Sequence, residues 1–413
     1  MKKQLIGLFL SACMVMSSAT KAETYVVTNA AVFGAAEGSE PVSILLKDGL
    51  IEAVGPDVAV PENATVIDAA GRFVTSGLMN SATDLGLIEV NSAKETVDIN
   101  GSGDNLGAAF DVQYGLNPNS ILLDVARTEG LVRAAVMPTT ADASGFAGMG
   151  VLLHLNAGFN ILGTAKAMLV AKVGGVGASN KSRSAVWVNL YSAFEKAGKV
   201  EENSDAATKI LQAVLAAEMP LVIDANRESD VRQAISFAAK FGIRVIILGG
   251  SEAWRVAPEL AAAQIPVILN PYDTLPGTFD AMGARAESAA ILHQAGVLVS
   301  FSVTSIYKSH NAGIGLRVGA GYAAARGLSK SAALDAITVN PAKIWGIDAM
   351  YGTLAQGKAA DIVIWSGDPL EALTVADKVF IGGKPMEAKS RQMLLRDKYH
   401  PSKQHNSYPP AYQ

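Results

Sequence analysis

Two acids and one histidine are the side chains best placed to do chemistry. Asp84 lies in the run Gly77-Leu-Met-Asn-Ser-Ala-Thr-Asp-Leu-Gly86, and Asp224 ends Leu221-Val-Ile-Asp224. Both runs read as β-strands, and strand ends around a barrel mouth are where reactive groups collect. Two carboxylates facing one mouth could hold a hard cation through oxygen, or divide acid and base duty. Against this, an oxygen-only cation site usually takes more than two carboxylates, and loop-edge acids are often solvated or paired. His310 follows a predicted strand at 297–301 and is the histidine nearest the same mouth. It is a candidate for a polar substrate contact, or equally a loop histidine bonded to backbone. Arg317, farther along, is a candidate substrate contact.

Other motifs carry less. Gly175 to Ser182 (GVGASNKS) resembles a phosphate-binding loop but has Asn180 where glycine is required, so a Gly/Ser loop is the simpler reading. His154 sits inside a strand-like run, His293 on a predicted helix, and His400 and His405 in the C-terminal tail. No Ser-His-Asp set can be assembled from residues this scattered.

The elements that must position these groups follow from the pattern of the chain. Near the N-terminus, Val42 to Gly55 reads as a hairpin turning at Lys47-Asp48-Gly49, and Ala64 to Gly77 repeats the strand-and-glycine pattern. Gly352 to Gly367 and Lys378 to Ser390 have the same character, so both chain ends are expected to build one small β domain. The middle alternates strand and helix: Leu221–Asp224, Arg244–Leu248, Pro266–Asn270 and Val297–Phe301 are strands, with a helical face between the first two at Val231, Ala234, Ile235, Ala238 and Phe241. A β/α middle of about 270 residues is the size of a (β/α)8 barrel, with a doubly wound sheet as the alternative. The expected fold is therefore α/β: a TIM-type barrel over 79–346 and a composite β-sandwich from 23–78 and 347–391, with a tail at 392–413. That tail reads as a surface strap or a disordered end.

Bulk properties bound the function. Half of the 413 residues are apolar, 17% are charged and the formal net charge is −4, which leaves nucleic-acid binding without an electrostatic footprint. Residues 1–22 read as a signal peptide: Lys2 and Lys3, an apolar run from Leu5 to Met16, and Thr20-Lys21-Ala22 before the cleavage point. That run is too short to span a bilayer, so no transmembrane segment is expected. The expected location is a periplasm. Leu10-Ser11-Ala12-Cys13 fits a lipobox, making a lipoprotein anchored at Cys13 the alternative. Cys13 is the single cysteine, so a mature chain beginning after Ala22 has no disulfide.

Several runs together resemble the amidohydrolase superfamily, nearest its imidazolonepropionase-like and exported prolidase-like branch. They are Ile44 to Gly55, Val66-Ile-Asp68, Gly71 and Thr75 to Met79 at one end. At the other are Thr338 to Ala342, Gly352-Thr-Leu354, Gly357-Lys358, Ala360 to Val363 and Gly367-Asp-Pro369. The resemblance implies one or two divalent ions activating water to open an amide, lactam or ester. It also implies ligands at fixed strand ends: His-x-His on the first strand, a modified lysine or acid on the fourth, histidines on the fifth and sixth, aspartate on the eighth. Those slots fall here on Ala82 and Asp84, on Lys172 as a guess, on Asp224, on Gly249-Gly250, and near Thr304. Imidazole and thiolate ligands are missing, so a zinc site of that type is not expected. Thr304 joins Arg317 as a candidate substrate contact. No cofactor is expected, with a divalent cation as the alternative. The reading is a hydrolase of C–N bonds with its metal site lost or altered, acting on a small amide or cyclic amide. The alternative is an inactive pseudoenzyme that binds a ligand or serves as partner subunit to an active paralogue, in a homo- or hetero-oligomer.

Overall fold

The computed structural model describes residues 23–36, 38–101, 106–174, 182–199, 204–303, 307–386 and 389–400. The N-terminal strands are β1 (Tyr25–Val32), β2 (Val42–Lys47), β3 (Leu50–Gly55), β4 (Thr65–Asp68) and β5 (Phe73–Ser76). The β2–β3 turn has positive φ at both Asp48 (51°) and Gly49 (82°), the turn type whose twist matches flanking strands. Residues 25–28 of β1 pair with β4 and residues 25–27 and 30 with β2, whereas 31–32 pair with β5. The chain crosses between the two halves at Asn29, whose φ of 53° is one that asparagine tolerates.

Eight further strands follow: β6 (Leu78–Thr83), β7 (Leu131–Val136), β8 (Phe146–His154), β9 (Leu162–Lys172), β10 (Leu221–Ala225), β11 (Val245–Gly249), β12 (Val267–Leu269) and β13 (Val299–Phe301). They form one sheet in chain order. It is nearly closed into a barrel where β13 returns to β6. There Met79 N donates to Ile337 O at 2.8 Å, Phe301 N donates to Ala336 O at 3.1 Å, and the Ser81 and Ser300 hydroxyls meet at 2.5 Å. The eight-stranded barrel expected from the sequence is present, with one departure from strict β/α alternation. Strand β8 is antiparallel to both neighbours, so seven strands are parallel and β8–β9 is a hairpin. The reason is length: residues 155–161 are too few for a parallel crossover, which takes about a dozen.

The C-terminal strands β14 (Ile362–Trp365), β15 (Ala376–Ile381) and β16 (Lys384–Pro385) add to β5, giving the order β16-β15-β14-β5-β1-β2-β3. Ile44, Ile51, Val74, Ile362, Ile364 and Phe380 fill the space between the two halves of this composite domain. The expected tail begins as the helix Arg391–Tyr399; residues 401–413, the leader, and Gly175 to Lys181 lie outside the described residues.

Gly77 is the joint between the domains. Its N–H donates to Asp361 O at 2.9 Å, and a Cβ there would lie 2.3 Å from Val132 Cγ2, so no larger residue fits without movement. Beside it, Arg133 on β7 pairs with Asp361 at 2.6 Å, with side chains only 5% and 8% exposed. The Tyr351 ring covers the guanidinium at 3.5 Å. Burial pushes the Asp361 carboxyl up, and Arg133 and the Gly382 N–H oppose it.

Candidate functional site

The barrel interior is apolar. Ala82, Val170, Val222, Ile246 and Ile268 meet there, and Ile344 and Trp345 pack with them. Side chains on a strand alternate faces, so the next inward residue lies two positions on. That step places Asp84, Lys172, Asp224, Leu248 and Asn270 in one layer at the barrel mouth, and the same step from Ser300 on β13 adds Ser302. All six line one cleft of about 430 Å³.

The charged groups of the cleft have partners, although Asp84 Oδ1 meets its cation as an ion pair without a hydrogen bond. Lys172 Nζ lies 2.5 Å from Asp224 Oδ2, with side chains 14% and 18% exposed. Lys308 Nζ lies 3.0 Å from Asp84 Oδ1, with side chains 11% and 12% exposed. Asp280, on the loop after β12, is held by Arg183 and by Arg227 Nε at 2.9 Å. Asp273 accepts from Asn270 Nδ2 at 2.8 Å. Surrounding protein pushes the Asp273 carboxyl up, although its side chain reaches solvent and water limits the rise. Among the described residues, no group of three or more His, Cys, Asp or Glu is placed to hold a metal ion.

The structure therefore brings Asp84 and Asp224 to one cleft, each facing a lysine. His310 does not line that cleft; its Nδ1 lies 3.1 Å from Ser309 Oγ in the helical turn Tyr307–His310. Arg317 is also elsewhere. It is 2% exposed and donates to the carbonyls of Pro369 (2.6 Å), Glu371 and Thr374 (2.7 Å), which makes it a clamp on the loop after β14 rather than a substrate contact. Thr304 lies outside the described residues. Sequence reasoning missed Lys308. The available signal was a cation two residues before His310 on the same segment, but its importance comes from a partner 224 positions away in the chain, which no local pattern reports.

Polar residues of β6 itself are structural. Asn80 Nδ2 donates to Ala312 O at 2.9 Å and Thr83 Oγ1 to Ala135 O at 2.9 Å. Behind the segment carrying Lys308, Glu129 Oε2 accepts from Gly313 N at 3.0 Å and Ile314 N at 2.8 Å, anchoring the start of helix Ile314–Ala324. Burial pushes the Glu129 carboxyl up to about 7, and the two N–H groups and Arg317 oppose it. His154, near the opposite end of the barrel, is lowered to about 4 by burial and by Arg133.

Comparisons with known proteins agree with this architecture. A family model described as the amidohydrolase family matches residues 280–386. The amidohydrolase tasK of Hapsidospora irregularis is 24% identical over 392 residues, covering 82% of this chain; the chain spans only 39% of that protein. The crystal structure of an amidohydrolase from Thermotoga maritima is 25% identical with a TM-score of 0.79, covering 88% of this chain and 100% of its own. A prolidase solved with N-methylphosphonate-L-proline shares the fold at 16% identity and a TM-score of 0.55, covering 89% of this chain and 100% of its own. A two-domain chain of this kind, with a barrel-mouth cleft and a sandwich built from both ends, has the architecture of the amidohydrolases it resembles, and the family model itself matches its C-terminal part.

Proposed function

We propose that this protein takes a small amide or cyclic amide into its barrel mouth and acts on the C–N bond without the metal pair implied by its superfamily. The observation that carries the reading is that Asp84 and Asp224, at the ends of β6 and β10, each face a lysine ammonium. Two further positions support it: Ala82 has no donor atom and Gly249 has no side chain. A divalent ion in this cleft would have to displace two ammoniums and would gain few oxygen ligands. The donor set does not fit the family metals, and no step is routed through them. The leader-like residues 1–22 support export.

The alternative is a ligand-binding partner subunit with no turnover. It is favoured by one observation, that no carboxylate of the mouth layer is without a cation to act as base. Metal analysis of purified protein, combined with a turnover panel of dipeptides and hydantoins, separates the readings. The proposal expects turnover that survives chelation. A stoichiometric divalent ion that disappears in Asp84→Ala or Asp224→Ala would overturn the metal-free reading. No turnover across the panel would leave the partner-subunit reading.

A further inference from the structure

An ammonium has three N–H donors, and among the described residues each lysine of the mouth meets one carboxylate. Among the described residues, Lys172 has Asp224 as its partner and Lys308 has Asp84. Both lysines line the same cleft, which also has apolar residues at Ala82, Val170 and Leu248. Of the other cleft carboxylates, Asp280 is held by two arginines and Asp273 is bonded to Asn270. A ligand in this cleft that supplies oxygen acceptors can therefore meet the remaining lysine N–H groups.

We propose that Lys172 and Lys308 form an acceptor-binding pair that holds a small carbonyl compound carrying a carboxylate or imide oxygen, in the place where the superfamily uses metal ions. The proposal rests on the metal-free reading above. Each aspartate competes with the ligand for its lysine, and the cleft wall shields both pairs from bulk water. A charge-assisted hydrogen bond in such a site is stronger than one between neutral groups. The ligand is small, because the cleft is about 430 Å³.

Titration calorimetry with N-acetylglycine and with hydantoin, on the chelator-treated full chain, tests this. Lys172→Met and Lys308→Met should each weaken N-acetylglycine binding ~10-fold or more. Asp84→Asn, which releases one ammonium from its partner, should tighten it; a purely structural lysine would not give these opposite signs. Since Lys308→Met leaves Asp84 without a partner, the neutral pair Asp84→Asn/Lys308→Met is measured alongside, with a thermal melt to establish folding, and should bind as weakly as Lys308→Met. Lysine variants that bind like the wild type, or wild-type protein that binds neither probe, overturn the proposal and leave the metal-free reading standing. Binding that vanishes on chelation and returns with zinc overturns that reading as well.

Discussion

Replacing Glu129 with glutamine should make the protein more stable at alkaline pH and change little in acid. The carboxyl is held among protein atoms at the start of helix Ile314–Ala324, and burial raises it to about 7 from an ordinary 4.5. Between those values the folded state holds a proton that the unfolded chain releases. The protonated form thus contributes stability that is fully present below about 4.5 and is lost as pH rises through about 7. At roughly 1.4 kcal/mol per pH unit, the difference amounts to about 3 kcal/mol as a ceiling. Glutamine keeps an oxygen that can accept from Gly313 and Ile314 and carries no charge to desolvate, so it escapes the loss. Arg317 is the charged group that acts on Glu129 and works in the other direction, an opposition already contained in the value of about 7; the partial exposure of Glu129 keeps the measured effect below the ceiling. Urea unfolding of wild type and Glu129→Gln at pH 5 and at pH 8.5 gives the comparison directly. The wild type should lose more stability than the variant over that interval, by about 1–3 kcal/mol. Equal losses, or a wild type that gains relative to the variant, would refute the assignment of burial as the dominant influence.

Other outcomes follow from the joint between the domains. Asp361→Ala leaves the Arg133 guanidinium buried without its counter-charge, and should cost about 3–5 kcal/mol in urea unfolding. Gly77→Ala places a methyl group against Val132 and should cost about 1–3 kcal/mol, seen as a lower midpoint with an unchanged denaturant slope.

Much of the architecture was legible because it depends on local pattern. Asp48-Gly49 specifies its turn through backbone conformation, and the glycine-punctuated strands at both ends announced the composite domain. The strand that ends just before Asp84 and the one containing Asp224 were visible as strand-like runs. The β8–β9 hairpin was harder, since an uncharged run such as 143–165 shows neither period clearly. What local pattern could not show is pairing across the barrel. Lys308 matters through Asp84, and Arg317 was misjudged because three carbonyls from residues 369–374 claim its donors. Long cations hold what tertiary structure brings within reach, and the chain itself carries no mark of that partner.

The position of β14 in the sheet has a consequence for how the chain is made. Strand β5 pairs on one side with β1, which precedes it, and on the other with β14. The hydrogen bond from Trp365 Nε1 to Thr75 Oγ1, at 2.9 Å, joins residues 290 positions apart. At about 5–20 residues per second, a ribosome needs roughly 15–60 s to supply the second partner. During that interval the nascent chain presents an open strand edge, with Val74 between Phe73 and Thr75, before its cover has been synthesised. The barrel lies between the two halves in the order of synthesis. The sandwich is thus the first domain begun and the last one completed.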